Sequence, residues 1–186
     1  FRDLLKKNAE PELVATYFGM SSRKILEDAA PDRVEELMPL LADIQRDISG
    51  LANVFPGMRT MIRKLSEAGF SLGVVTSKTV EELNISRNDY DLPDEIEIWV
   101  GADSAPAPKP DPAPVLLALE LLGCAPDEAV MIGDTYFDME AGRAAGVKIG
   151  AALWGEADRK RLLSYEPDFL FEAVEELERL LKWKKN

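Results

Sequence analysis

The sequence contains no histidine and one cysteine, Cys124, in 186 residues. The first absence excludes His-based catalytic triads and His-ligated zinc, so acid–base or metal chemistry must use carboxylates, lysine, tyrosine or hydroxyls. The second excludes an intrachain disulfide. Residues 1–10 also show neither the apolar region of a signal peptide nor a cleavage site, so a reducing, cytoplasmic setting is expected. Cys124 follows Gly123 at the end of a helical pattern, a place that suits a small buried apolar residue better than a nucleophile. Long hydrophobic runs are also lacking, and none approaches the length of a membrane-spanning helix. Positive charge is scarce: 22 Lys and Arg stand against 34 Asp and Glu, a net charge of −12. That balance opposes binding to nucleic acid or anionic lipid, so neither is expected as a partner. The pattern sets no oligomeric state.

What is present is enough apolar material, 46% of residues, to bury a core of ordinary domain size. Residues 1 to about 52 carry helical periodicity and almost no strand signal: Leu4, Leu5, Leu13 and Tyr17, then Ile25 and Leu26, then Val34, Leu37, Met38, Leu41 and Ile44. Phe55-Pro56-Gly57 breaks this rhythm. Beyond it helices and short apolar strands alternate. Strands are expected at 70–75, 96–100, 129–132, 147–152 and 169–171, and helices over 58–69, 111–123 and 137–145 and from Val174 to Leu181. Alternation of this kind implies parallel pairing through right-handed crossovers, hence an α/β fold with a doubly wound parallel sheet. The segment 89–91, Asp-Tyr-Asp, reads as an acidic surface turn.

Ligands of an open α/β sheet collect beyond the carboxyl ends of its strands. Three polar groups stand there. The strand at 70–75 ends in Thr76-Ser77-Lys78, whose hydroxyl and following backbone N–H groups could seat a phosphate, or simply cap a helix. Lys109 follows the next strand, between Pro108 and Pro110, which restrict its backbone. The strand at 129–132 ends in Gly133-Asp134, with Asp138 one helical turn later. Two carboxylates so placed suit Mg²⁺, which takes one or two of them with waters and phosphate oxygens, better than zinc. They equally suit a helix cap and a favourable first turn.

A receiver domain also joins acids, a Thr and a Lys in a doubly wound fold, but with its acids first and its Lys last. The order Thr76, Lys109, Asp134, Asp138 instead resembles the haloacid dehalogenase superfamily. VVTSK at 74–78 looks like its second motif, Lys109 in KPDP its third and GDTYFD at 133–138 its fourth. FPGMRTMIRKLSEAGF and AAGVKIGAALWG are similar to the phosphoglycolate-phosphatase-like branch. The resemblance implies a Rossmann-like core over 53–186 and a helical cap over 1–52 that closes on the substrate, with candidate selectors from Tyr17 to Arg23. It implies that Thr76 and Ser77 bind the phosphoryl group, that Lys109 neutralises it, and that Asp134 with Asp138 holds Mg²⁺. The implied partner is a small phosphorylated metabolite.

The resemblance also requires an aspartate nucleophile in a motif Asp-x-Asp-Gly-Thr at the end of a central strand. No such motif occurs in these residues: Asp3 lacks it, and Asp89-Tyr90-Asp91 is followed by Leu92-Pro93. The expectation is a core whose first central strand is missing, a chain inactive by itself, and a nucleophile supplied by an upstream segment. The alternatives are a catalytically dead binding module, or another reaction of the superfamily: dehalogenation, phosphonate hydrolysis or sugar-phosphate mutation.

Overall fold

Apolar side chains at three- and four-residue steps produce helices in the second and third of the stretches expected in the N-terminal part. The computed structural model describes residues 17–49, 53–90, 92–155 and 158–183, so Leu4, Leu5 and Leu13 lie outside it. Tyr17 stands in a turn that leads to α1 (Ser22–Ala29), where the Ser21 hydroxyl caps the helix by accepting from the Lys24 N–H. A 3₁₀ turn at Pro31–Arg33 leads into α2 (Val34–Ser49). Leu26, Val34, Leu37 and Leu41 bury themselves against one another in a cluster of their own. This helical pair therefore has a core separate from that of the sheet.

The alternating part begins with α3 (Met58–Glu67), stopped at Gly69, whose φ of +87° favours a residue without a side chain. Next come β1 (Gly73–Val75), α4 (Val80–Tyr90), β2 (Ile98–Val100) and α5 (Ala113–Leu122). These are followed by β3 (Val130–Gly133), α6 (Tyr136–Ala144), β4 (Lys148–Ala152), α7 (Arg159–Leu163) and β5 (Phe169–Phe171). Asp111 precedes α5, whose N-cap is Pro112, and accepts from the Ala113 N–H at 2.8 Å. Two elements differ from expectation. Asp89 and Tyr90 belong to the last turn of α4 rather than to a surface turn. That helix has few apolar residues and is fixed by a capping box instead, in which Thr79 and Glu82 exchange backbone and side-chain hydrogen bonds. The last helix, Val174–Lys182, is 3₁₀: Val174, Leu177 and Leu180 are buried at steps of three, and Leu181 is exposed.

The expected doubly wound arrangement is present. On one face α5 lies over β1 and β2, α6 lies over β3 and β4, and Val115, Leu119, Ala141 and Val147 pack between them. On the other, α3 and the final 3₁₀ helix enclose Met61, Leu65, Phe171 and Leu177. All pairings are parallel, Gly73 opposite Ile98, Val130 opposite Lys148 and Gly150 opposite Phe169. Yet the strands form two sheets, β1-β2 and β3-β4-β5, with no ladder between β1 and β3 among the described residues. The middle of a parallel sheet covered on both faces is normally its most buried part. Here β3 is only half-buried throughout, while β4 is buried from Ile149 to Ala152. The exposure falls at the division between the two sheets, where no strand lies among the described residues.

The register of β5 on β4 is set by Asp168, which accepts from the Ile149 N–H at 2.9 Å and faces the Lys148 ammonium at 3.4 Å. Burial opposes ionisation of Asp168, but these two partners outweigh it and hold its pKa below the usual carboxylate range. A carboxyl depressed in the folded state contributes stability above its unfolded pKa and loses it as pH falls through the folded value. D168A is expected to cost about 1 kcal/mol at neutral pH. Urea unfolding should then show its deficit against the unsubstituted chain shrinking below about pH 4.

Candidate active site at the strand ends

Lysine in a proline-flanked loop is ordinarily solvated, but Lys109 is drawn inward. It precedes a cis peptide bond to Pro110, and its side chain is 7% exposed. The ammonium donates to the Val75 carbonyl at 3.0 Å and to Asp138 Oδ1 at 2.6 Å. Val75 is the last residue of β1, and Asp138 lies in the first turn of α6, directly after β3. One cation thus ties together the ends of both sheets.

Asp138 is held from its other side as well. Its Oδ2 accepts from the Thr135 N–H at 3.0 Å and from the Thr135 hydroxyl at 2.6 Å. Thr135, rather than Asp134, is therefore the residue that starts α6, with Asp138 closing the capping box. Both oxygens of Asp138 are engaged, and its closeness to the strand requires Gly133: a Cβ there would lie 2.2 Å from Asp138 Cγ. Asp134 directly follows β3 and lies against the backbone of Gly155. A Cβ on Gly155 would come within 2.3 Å of Asp134 Oδ2.

At the end of β1, the Thr76 N–H donates to the Val100 carbonyl, and the Thr76 hydroxyl accepts from the Lys78 N–H at 3.3 Å. The Lys78 amide is thus engaged within its own turn rather than opened outward. The cap of α4 is Thr79, which leaves Thr76 and Ser77 in the turn between strand and helix. The Lys78 side chain runs away from the strand ends to the Ser86 hydroxyl and lies 5.5 Å from the Tyr90 ring centre. Burial pushes its pKa down from the ordinary lysine value, against the opposing pull of Glu82 and Asp89. Lys109 is consequently the ammonium that reaches the strand ends.

The structure gathers Lys109 and Asp138 into direct contact, with Thr76 and Ser77 following one strand and Asp134 the other. A fixed cation and a hydroxyl at these strand ends can bind and neutralise a phosphoryl group. The sequence reading overlooked Thr135, Gly155 and Glu82. The pattern Thr-x-x-acid at 79–82 and 135–138 was the available signal for the two capping boxes, whereas nothing local marks Gly155. A cavity of about 450 Å³ beside Arg87, Pro93 and Trp99 is lined by none of these site residues.

Removing one partner of a buried ion pair leaves the other charge uncompensated. K109M is expected to lower the unfolding free energy by about 3 kcal/mol. The double variant K109M/D138N should lose less than the sum of the two single losses. Urea titrations of the four chains measure this, and additive losses would show that the two groups are not coupled.

Residues 1–152 match the family model described as haloacid dehalogenase-like hydrolase. Pyrophosphatase PpaX of Bacillus velezensis is 40% identical over 114 residues, 61% of this chain and 53% of that protein. The PpaX of Anoxybacillus flavithermus is 30% identical over 167 residues, 89% of this chain and 78% of its own length. Among solved structures, a candidate phosphoglycolate phosphatase of Lactobacillus plantarum superposes with a TM-score of 0.86 at 26% identity, covering 96% of this chain and 87% of that one. The chain belongs to the haloacid dehalogenase-like hydrolase family, in its phosphoglycolate-phosphatase-like branch, and is by family a phosphatase.

Proposed function

We propose that the residues described here form the phosphate- and metal-binding part of a Mg²⁺-dependent phosphatase that hydrolyses a small phosphomonoester in the cytoplasm. The observation that carries this reading is the buried Lys109, held by Val75 and Asp138 where the two sheets meet. Thr76 and Ser77 bind the phosphoryl oxygens. Lys109 offsets charge that builds on them during transfer, with Asp138 and the Val75 carbonyl fixing its ammonium.

The donor set suits magnesium. Asp134 is the direct ligand, and Asp138, whose two oxygens are already engaged, contributes through Lys109 or a water. One or two carboxylates completed by water and phosphate oxygens is a usual Mg²⁺ arrangement. No group of three or more His, Cys, Asp or Glu side chains able to hold a metal occurs among the described residues, which speaks against a closed zinc site. When bound, the ion would supply positive charge to the phosphate oxygens. Residues 1–52 serve as a lid that excludes water and selects the substrate, over a core formed by 53–186.

The acceptor of the phosphoryl group is an aspartate on a strand that fits between β1 and β3, supplied by a segment outside these residues. The two separately paired sheets support this, as does the half-exposure of β3. A catalytically silent binding module is the competing reading. The deciding experiment is to measure phosphate release by residues 1–186 alone and by the same residues fused to a strand bearing Asp-x-Asp-Gly-Thr. Phosphoglycolate, pyrophosphate, sugar phosphates and nucleotides make up the substrate panel. The expected outcome is no release from the first, and Mg²⁺-dependent release from the second that falls about 100-fold or more in D134N. Release by the unfused chain would refute the need for an added nucleophile, and none from the fusion would favour the binding module. G155A should weaken Mg²⁺ binding in titration calorimetry, because its methyl group displaces Asp134.

A further inference from the structure

A buried carboxylate lies outside the Lys109 cluster. Glu82 is 7% exposed and carries the same division of labour as Asp138. One oxygen, Oε2, accepts from the Thr79 N–H at 2.6 Å and closes the capping box of α4. The other, Oε1, accepts from the Ser22 hydroxyl at 2.7 Å, sixty residues away at the start of α1. Ser22 is itself buried at 6% exposure, so the contact lies within the interface between the helical pair and the sheet domain.

Three residues before Ser22 the same segment meets the core again. Gly19 has φ +86° and lies so close to the loop after β3 that a Cβ would stand 2.7 Å from Thr135 Cγ2 and 3.2 Å from Phe137 Cδ2. The two contacts fall on different sheets. Glu82 follows β1, and Thr135 follows β3. Leu26, Val34, Leu37 and Leu41 form a core private to the helical pair, and α2 also packs against α4, with the Arg46 guanidinium 3.8 Å from Glu81.

We infer that residues 19–22 are a two-point latch: Ser22 on Glu82 and Gly19 on Thr135 hold the helical pair against both strand ends. The latch fixes the spacing between the turn at 76–79 and the acid pair at 134–138. It rests on reading those two loops as opposite sides of one site, but its test does not depend on the reaction. Arg23, by contrast, pairs in the open with Glu35 and plays no part in the latch.

Hydrogen–deuterium exchange on the whole chain tests the latch locally. S22A removes the hydroxyl and leaves the α4 capping box intact. It is expected to speed exchange of amides 24–30 about ten-fold, while β3 and β4 keep their protection. T79A removes the hydroxyl of the capping box but keeps the Ser22–Glu82 contact. It should speed exchange at 80–83 and leave 24–30 within about two-fold of the unsubstituted chain. G19A, which disturbs the second point, should open the same 24–30 amides. The latch is overturned if S22A leaves 24–30 unchanged, or if T79A opens them as much as S22A does. Unchanged exchange in G19A removes Gly19 as a point of attachment.

Discussion

A buried carboxylate has two oxygens and must satisfy both, and the organisation of the strand ends follows from this requirement. Asp138 and Glu82 each sit three residues after a threonine that begins a helix, and each gives one oxygen to that threonine's N–H. The second oxygen cannot be left in an apolar setting, so it draws in a group from elsewhere in the chain. For Asp138 that group is the ammonium of Lys109, and for Glu82 it is the hydroxyl of Ser22. Local capping chemistry is thereby converted into long-range attachment. Because both threonines directly precede helices that follow strands, the attachments land where an α/β sheet collects its ligands.

This arrangement also explains how the lysine is fixed without a rigid pocket. A long flexible side chain loses considerable rotamer freedom when immobilised. Here two acceptors of different kinds, the peptide carbonyl of Val75 and the carboxylate of Asp138, constrain the same nitrogen. Gly133 makes the geometry possible, since any side chain at that position would collide with Asp138.

Much of the fold was legible in the sequence because it follows from periodicity and punctuation. The strand at 169–171 appears at those residues, and the other strands appear within their expected spans or displaced by one residue, shortened at their ends. Helix ends were marked by Gly69 and Gly123, which adopt positive φ. The helix at 80–90 was hidden because capping and buried polar groups specify it rather than an apolar stripe. The 3₁₀ form of the last helix was written in Val174, Leu177 and Leu180, but the apolar residue that follows them, Leu181, masked the step of three. At the site, the residue types and their order named Thr76, Lys109, Asp134 and Asp138 as candidates. The turning away of Lys78 went unread, and sequence could not show that Gly155 presses on Asp134, a fact of three-dimensional proximity between segments far apart in the chain.

The division of the sheet has a consequence for the behaviour of the chain in solution. β1 and β3 each offer a strand edge that is paired on one side only among the described residues, and such edges are templates for joining other strands. The net charge of −12 works against that association, since identical chains repel before their edges can meet. Colloidal stability is therefore set by ionic strength: salt that screens the surface acids shortens the range of the repulsion and leaves the edges free to pair.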